Sequence, residues 1–513
     1  MTNGPSTVTI ASSDDPELGV QRAALDATLN RAQVQAVVWR ALDLDPSARS
    51  LRRLVRPGDW VVLKPNIVTS RSHQCSYWHN GVAHPGQVTD VRVIDSLIGY
   101  LISRCQPRRI TVAEGGAEWQ RAREPGQEDG WTVPWPEFDG LSYAGIVAAW
   151  EAQHPGLVDI VDLNEDEIRF LPVPDPCGSG IGALQRVGQE GRPPERFGRG
   201  AYVPGTGTLR TGYHIPATVL DCDRLICVPA MKTHTCATTL AIKNYVGILP
   251  THPSGVVRKG DVHAGDLQKG FVDLFSYHPA DYSVNEGFWG TEGNGPQWGD
   301  NVQHNVVVAS ADPVAADAVT SAVMGFNPED LDYLHYAARK GFGTLDLARI
   351  TVLGGPVERV RRQFHTAAGR RGVPFTARGN RTWLVRSGQT QWRLLESEER
   401  YVDLDRFFAE GRPEVAWAAA DVVASGPQRA WLWASADGRL QVELNGCVVL
   451  ASSALGVHVL GEHRVEIDLL AGRNALRVRV EGGPCGLGFT ALVCDEQGFT
   501  PAGIRYTVEG IGP

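Results

Sequence analysis

Residues 225–250, LICVPAMKTHTCATTLAIKNYVGILP, close an apolar run with a dense set of reactive groups: Lys232, His234, Cys236, Lys243 and Asn244. Lysine is rarely buried without a partner, so a lysine just past a buried strand marks that strand's carboxyl edge. In open parallel sheets, ligands bind in the crevice beyond this edge. Converging ammonium groups suit a carboxylate or a phosphate, and an amine whose charge is disfavoured by burial can act as a base. Lys232, His234, Lys243 and Asn244 are therefore the candidate catalytic residues. The lysines would neutralise and orient an anion, His234 would move a proton or ligate a metal, and Asn244 would hydrogen-bond substrate or an intermediate.

Four further residues are candidate substrate contacts: Lys64, Asn66, Glu114 and Asp317. Lys64 and Glu114 stand at the ends of the apolar runs 60–63 and 109–113, at the same level as Lys232 if all three runs are strands of one layer. His84, His234 and His263 are the candidate metal ligands. Imidazoles and thiolates brought together from several loops would favour iron, zinc, nickel or copper. The competing reading leaves these histidines as hydrogen-bonding or loop residues.

These groups need a scaffold. Residues 60–63, 109–113, 225–228, 306–308 and 350–353 are short apolar runs of strand type, and 88–104 repeats apolar residues at helical spacing. Asp312 followed by Pro313 predicts a helix start, and Gly325 its stop. Continuous apolar strands separated by helices predict an α/β domain over 1–360, with a mainly parallel sheet covered by helices on both faces. Two stretches lack clear periodicity and are expected as long insertions or lids, near 120–215 and 279–303. The glycine-rich part of the second, 287–296, could wrap a phosphate with backbone N–H groups. Residues 361–380 read as a basic linker. Beyond it, 439–444, 464–469 and 476–481 alternate apolar and polar residues, with turn signals at Asn445-Gly446 and 472–474. That pattern predicts a separate antiparallel β-sandwich over 381–513.

At this point a resemblance emerges. The segments 62–66 (VLKPN), 84–88 (HPGQV), 228–234 (VPAMKTH), 239–244 (TLAIKN), 290–296 (GTEGNGP) and 309–317 (ASADPVAAD) occur in this order. Over about 55–360 the chain resembles the family called domain of unknown function 362. Many members of that family carry a ferredoxin-like cysteine motif, which this chain lacks. The segments 437–446, 470–476 and 486–489 make the C-terminal part similar to galactose-binding-like jelly-roll domains, which implies an accessory domain with a potential glycan contact.

The totals narrow the function. A formal net charge of −9 over 513 residues argues against a general nucleic-acid binder. Nine scattered cysteines include no Cys-x-x-Cys pair, so zinc-knuckle and ferredoxin-type motifs are absent from the sequence. No P-loop, GxSxG or HExxH motif occurs. No apolar run is long enough for a membrane helix and the first residues do not read as a signal peptide, so a cytoplasmic protein is expected. The expected function is an enzyme acting on a small anionic substrate by metal-assisted or redox chemistry, an oxidoreductase among the options. The alternatives are a non-catalytic ligand- or glycan-binding protein and an iron–sulfur electron-transfer protein.

Overall fold

The computed structural model describes residues 6–68, 84–116, 130–177, 212–234, 237–250, 267–296, 298–367, 377–397, 400–408, 411–452, 458–483 and 486–511. The chain forms two compact units, Met1–Pro328 with Asp332–Phe375, and Glu329–Leu331 with Thr376–Pro513. The division at 375 lies within 361–380.

The strands of the first unit are β1 Ser6–Ser12, β2 Trp60–Pro65, β3 Arg109–Glu114, β4 Val158–Asp162, β5 Ile168–Pro172, β6 Gly212–Pro216, β7 Arg224–Val228, β8 Ala230–His234, β9 Ala237–Thr239, β10 Tyr282–Asn294, β11 Trp298–Val302, β12 Val306–Ser310 and β13 Ile350–Leu353. The main sheet runs β13-β1-β12-β10-β7-β2-β3-β4. Only the β12 pairings along this path, with β1 and β10, are antiparallel. The inner strands β2, β3, β7 and β12 are short, apolar and buried because helices cover the sheet on both faces. The helices used below are α1 Arg31–Asp43, α2 Val91–Arg104, α3 Tyr143–Gln153, α4 Leu267–Phe275, α5 Pro313–Val323 and α6 Asp332–Arg339. Successive strand residues point to opposite faces. Val61, Leu63, Ile110 and Val112 thus join one core with α1, α2 and α3. From the other face Asn285 reaches α5, its Nδ2 donating to Asp317 and Thr320.

Two helix boundaries follow directly from local chemistry. Asp90 caps α2 by accepting from the Arg92 N–H at 2.8 Å, three residues later than the periodicity alone suggested. Asp312 caps α5 by accepting from the Ala315 N–H at 3.0 Å, with Pro313 at the first helical position. The chain then turns at Gly325, whose φ is +90°.

Several expectations need correction. The stretch 279–303 is not an insertion or a lid. It forms the 13-residue strand β10 and its hairpin partner β11. Its glycines serve close approach: a side-chain carbon on Gly290 would lie 2.6 Å from the Met231 carbonyl oxygen. The stretch 120–215 is not a featureless insertion either. Among its described residues it holds α3, the edge strand β4 and the two strands that make up the β5–β6 ladder. Helix α3 gives no periodic signal because alanines fill most of its surface, and β4 is only half-buried. Strand β1 and helix α1 lacked a sequence expectation; β1, STVTIAS, is buried from Val8 to Ser12, but its serines and threonines mask the apolar run.

The second unit contains β14 Thr382–Ser387, β15 Arg393–Glu396, β16 Val402–Asp403, β17 Val415–Ala424, β18 Gln428–Leu444, β19 Cys447–Ala451, β20 His463–Leu469, β21 Gly472–Gly482, β22 Gly488–Cys494 and β23 Ile504–Thr507. All pairings are antiparallel. Strand β18 belongs to two sheets: residues 428–437 pair with β20 and β22, and 438–444 with β21 and β19. The inner faces close on one apolar core, giving a β-sandwich. Asn445 and Gly446, at φ +53° and +80°, make the two-residue turn between β18 and β19 that the sequence signalled. Among the described residues no helix is long and apolar enough to cross a membrane.

Candidate functional site

The chain leaves β2 toward β3 and β4 on one side and returns to β7 on the other. The carboxyl ends of β2 and β7 therefore border a topological switch point, where α/β sheets commonly bind ligands. Lys64 lies near the end of β2, Glu114 ends β3, and Lys232 follows β7 on β8. Pro229 separates β7 from β8, which is held by β10 and by the short hairpin strand β9. The period of two puts Lys232 and His234 on one face of β8. Thr239 stands directly opposite Lys232 on β9.

These residues open onto a cleft of about 100 Å³. Lys232, His234, Lys243, Glu114, Asn66 and Thr239 supply its polar lining, with Val246, Gly247 and Pro296 among the remaining walls. Lys243 donates to Thr239 Oγ1 at 2.8 Å, so the strand opposite Lys232 also aims the second lysine. Lys232 has no exposed surface, and its amine makes one long hydrogen bond, 3.4 Å to the Gln87 carbonyl oxygen. Burial, reinforced by Lys243 and Lys64 and opposed by Glu286 and Glu114, pulls its pKa from 10.5 to about 7. The carboxyl of Glu286 is pushed up to about 8 by burial and by Asp90. Among the described residues two nearby side chains keep buried polar atoms without a hydrogen-bond partner: Asn66 Oδ1 in the cleft wall, and both amide atoms of Gln87, whose carbonyl oxygen Lys232 meets.

Lys64 is turned inward. Its amine donates to Glu114 Oε2 at 2.6 Å and to Asn244 Oδ1 at 3.0 Å, while Asn244 Nδ2 returns a bond to the Lys64 carbonyl. Lys64 and Asn244, expected to meet substrate, instead fasten β2 to the turn 243–248 and fix the Glu114 carboxylate at the cleft wall. The ion pair is fully buried. Gly247 makes this possible, because a side-chain carbon there would collide with both Glu114 Oε1 and Lys64 Nζ. The expected result of Gly247→Ala is a loss of about 2–4 kcal/mol, from overpacking against a buried pair that cannot separate cheaply. Chemical denaturation checks it; a change under half a kcal/mol (about the noise of a surface substitution) would contradict the packing described.

Asp317 also differs from its expected role as a substrate contact. Its carboxylate accepts from the backbone N–H groups of Ala241 and Ile242, at 2.9 and 3.1 Å, and from Asn285 and Tyr333. It anchors the chain just before Lys243 from behind and does not line the cleft. His84 is buried at the head of the 3-10 turn Pro85–Gln87, also off the lining. His263 lies outside the described residues. Among the described residues no group of three or more His, Cys, Asp or Glu side chains is disposed to hold a metal ion. Sequence reading missed Glu286, Thr239 and Gly247. Glu286 had a signal, a lone carboxylate in the run 282–286, which was passed over once that region was taken for an insertion.

Residues 191–322 match the family model described as "Domain of unknown function (DUF362)". The chain resembles the DUF362 family. The matched span contains the stretch from Lys232 to Asn244 together with Glu286 and Asp317, so the DUF362 match covers one wall of the cleft and its anchor; Lys64 and Glu114 precede it. No curated protein matches the chain. Solved structures overlap it only in part. A beta-glucosidase from Kluyveromyces marxianus in complex with glucose shares 15% identity over 22% of this chain and 16% of its own, with a TM-score of 0.19. A beta-glucuronidase from Faecalibacterium prausnitzii shares 17% identity over 20% of each chain, with a TM-score of 0.15. An anti-sigma factor domain-containing protein shares 12% identity over 24% of this chain and 45% of its own, with a TM-score of 0.19. The chain spans less than half of each of these proteins, and overlaps this slight carry no argument about its activity.

Proposed function

We propose that the protein is an enzyme acting on a small anionic substrate by proton transfer in the Lys232–His234–Lys243 cleft. The carrying observation is the Lys232 amine: wholly buried, facing a cleft, with one 3.4 Å hydrogen bond for three donors. A buried ammonium without good partners costs several kcal/mol, and such a cost is retained where function requires it. Lys243, aimed by Thr239, orients the anion. Lys232, lowered to about 7, exchanges protons with it, since a group poised near neutral pH is an efficient acid or base, and the His234 imidazole on the same strand face is a second proton carrier. Glu114, immobilised by Lys64, gives the substrate a fixed acceptor. A metal-assisted form of the reaction would draw on His84 and His234.

Calorimetric titration with inorganic phosphate and with pyruvate tests the reading. Removing the charge by Lys243→Met is expected to weaken binding by about tenfold to a hundredfold, the range of a charge-assisted hydrogen bond. Affinity should also fall as pH rises through about 7, because the Lys232 amine is cationic below that value and neutral above it. Ionisation of Glu286 near pH 8 acts in the same direction. Absence of anion binding at every pH from 6 to 8 would defeat the proposal.

A further inference from the structure

We propose that Lys232 is a covalent catalyst that forms an imine with a small 2-oxo acid. The inference rests on the anion-site reading above and names the substrate class. Three lysines converge on this region, and two are committed: Lys64 to Glu114 and Asn244, Lys243 to Thr239. Among the described residues, Lys232 alone of the three donates to nothing closer than 3.4 Å and forms no ion pair. A nucleophilic amine needs such a setting, with a lone pair that no acid holds and a cavity wall that disfavours the ammonium form.

The cleft contains the other parts of the reaction. Its 100 Å³ is several times the roughly 10–15 Å³ that a single water needs, so a molecule of a few non-hydrogen atoms enters it. A 2-oxo acid of pyruvate size fits, with its carboxylate toward Lys243. The neutral Lys232 amine attacks the carbonyl carbon, forming a C–N bond while the carbonyl π electrons pass to oxygen. That oxygen takes the proton that the nitrogen gives up, leaving a neutral carbinolamine. The resulting carbinolamine hydroxyl finds an acceptor in Asn66 Oδ1, which has no other partner. A proton delivered by His234, which lines the cleft, to this hydroxyl then lets the C–O bond break. Water leaves, and the iminium that remains draws electrons from the adjacent carbon. No oxidant or reductant enters. The product is a substrate activated for breaking a C–H or C–C bond beside the former carbonyl.

The experiment is reductive trapping of the full chain with pyruvate and sodium cyanoborohydride, followed by peptide mapping. The expected result is one carboxyethyl group per chain, on Lys232. Lys232→Arg and, should that larger side chain disturb folding, Lys232→Met should both lose the label. Unlabelled Lys232 in a wild-type chain that binds pyruvate and phosphate overturns the imine and leaves the anion site standing. Label spread over surface lysines at equal rates overturns it as well. Failure of both phosphate and pyruvate to bind removes the anion site first, and the imine with it.

Discussion

Replacing Lys232 with methionine is expected to stabilise the protein while removing its affinity for anions. Methionine has nearly the volume of the lysine stem and no charge to desolvate. Substituting apolar groups for a buried charge that is poorly compensated is commonly neutral or stabilising by about 1–4 kcal/mol. The pH dependence of the gain has a definite sign. The Lys232 amine is lowered from 10.5 to about 7 in the fold. Between these values the unfolded chain binds the proton and the folded chain does not, so the penalty is full below pH 7 and fades as pH approaches the unfolded value. The stabilisation by Lys232→Met should accordingly be largest at pH 6 and shrink in alkaline buffer. Thermal melts at several pH values, run beside phosphate titration, check both halves. A variant that is less stable at pH 6 would mean that the amine is a structural contact, and the functional reading would lose its main support.

Truncating Asp317 to alanine is expected to have the opposite effect, a loss of about 3–5 kcal/mol. Each oxygen of this carboxylate receives two donors, one of them a backbone N–H just ahead of Lys243. All four donors are enclosed, and an orphaned buried donor costs about 1–3 kcal/mol, with partial relaxation keeping the total below the simple sum. Burial pushes Asp317 up to about 7, and the four donors oppose that rise by favouring the ionised form. Asp317→Asn keeps one acceptor oxygen and turns an NH2 group toward the remaining donors, so its stability should fall between wild type and alanine. Hydrogen exchange resolves the cause: the amides of Ala241 and Ile242 should lose protection before the rest of the sheet. Uniform loss of protection across the first unit would contradict a local anchoring role.

The sequence made the central strands legible because burial on both faces writes them as plain apolar runs. Residues 60–63, 109–113, 225–228 and 306–308 all fall in such strands, 350–353 falls in the partly exposed edge strand β13, and Asp312-Pro313 opens a helix as its chemistry requires. The period-two alternation of the second unit was equally readable, since one face of each strand meets a core and the other meets solvent. Strand β10 was not readable, because glycines that permit close strand contact look the same in sequence as glycines that make loops. In the site, the convergence of Lys232, His234 and Lys243 with Asn66 and Glu114 followed from strand ends sharing one edge. Lys64, Asn244 and Asp317 were named as ligand contacts yet serve as internal fasteners. Their residue types were informative, but their partners lie far away in sequence, as Glu114 does from Lys64 and Ala241 from Asp317. Sequence spacing cannot say which of several eligible neighbours will claim an amine or a carboxylate.

The uneven ladder between β8 and β10 has a consequence for how the cleft can change. Glu286 pairs with Ala230 and Thr291 with Lys232, so β10 carries surplus residues between two fixed rungs. This slack separates the interior rungs at Tyr282 and Ser283 from the rim where the amine stands. Lengthening or shortening the surplus by a single residue would exchange the faces of the rim without moving those interior rungs. The pocket's shape is thus adjustable by insertion and deletion, independently of the layer that supports it.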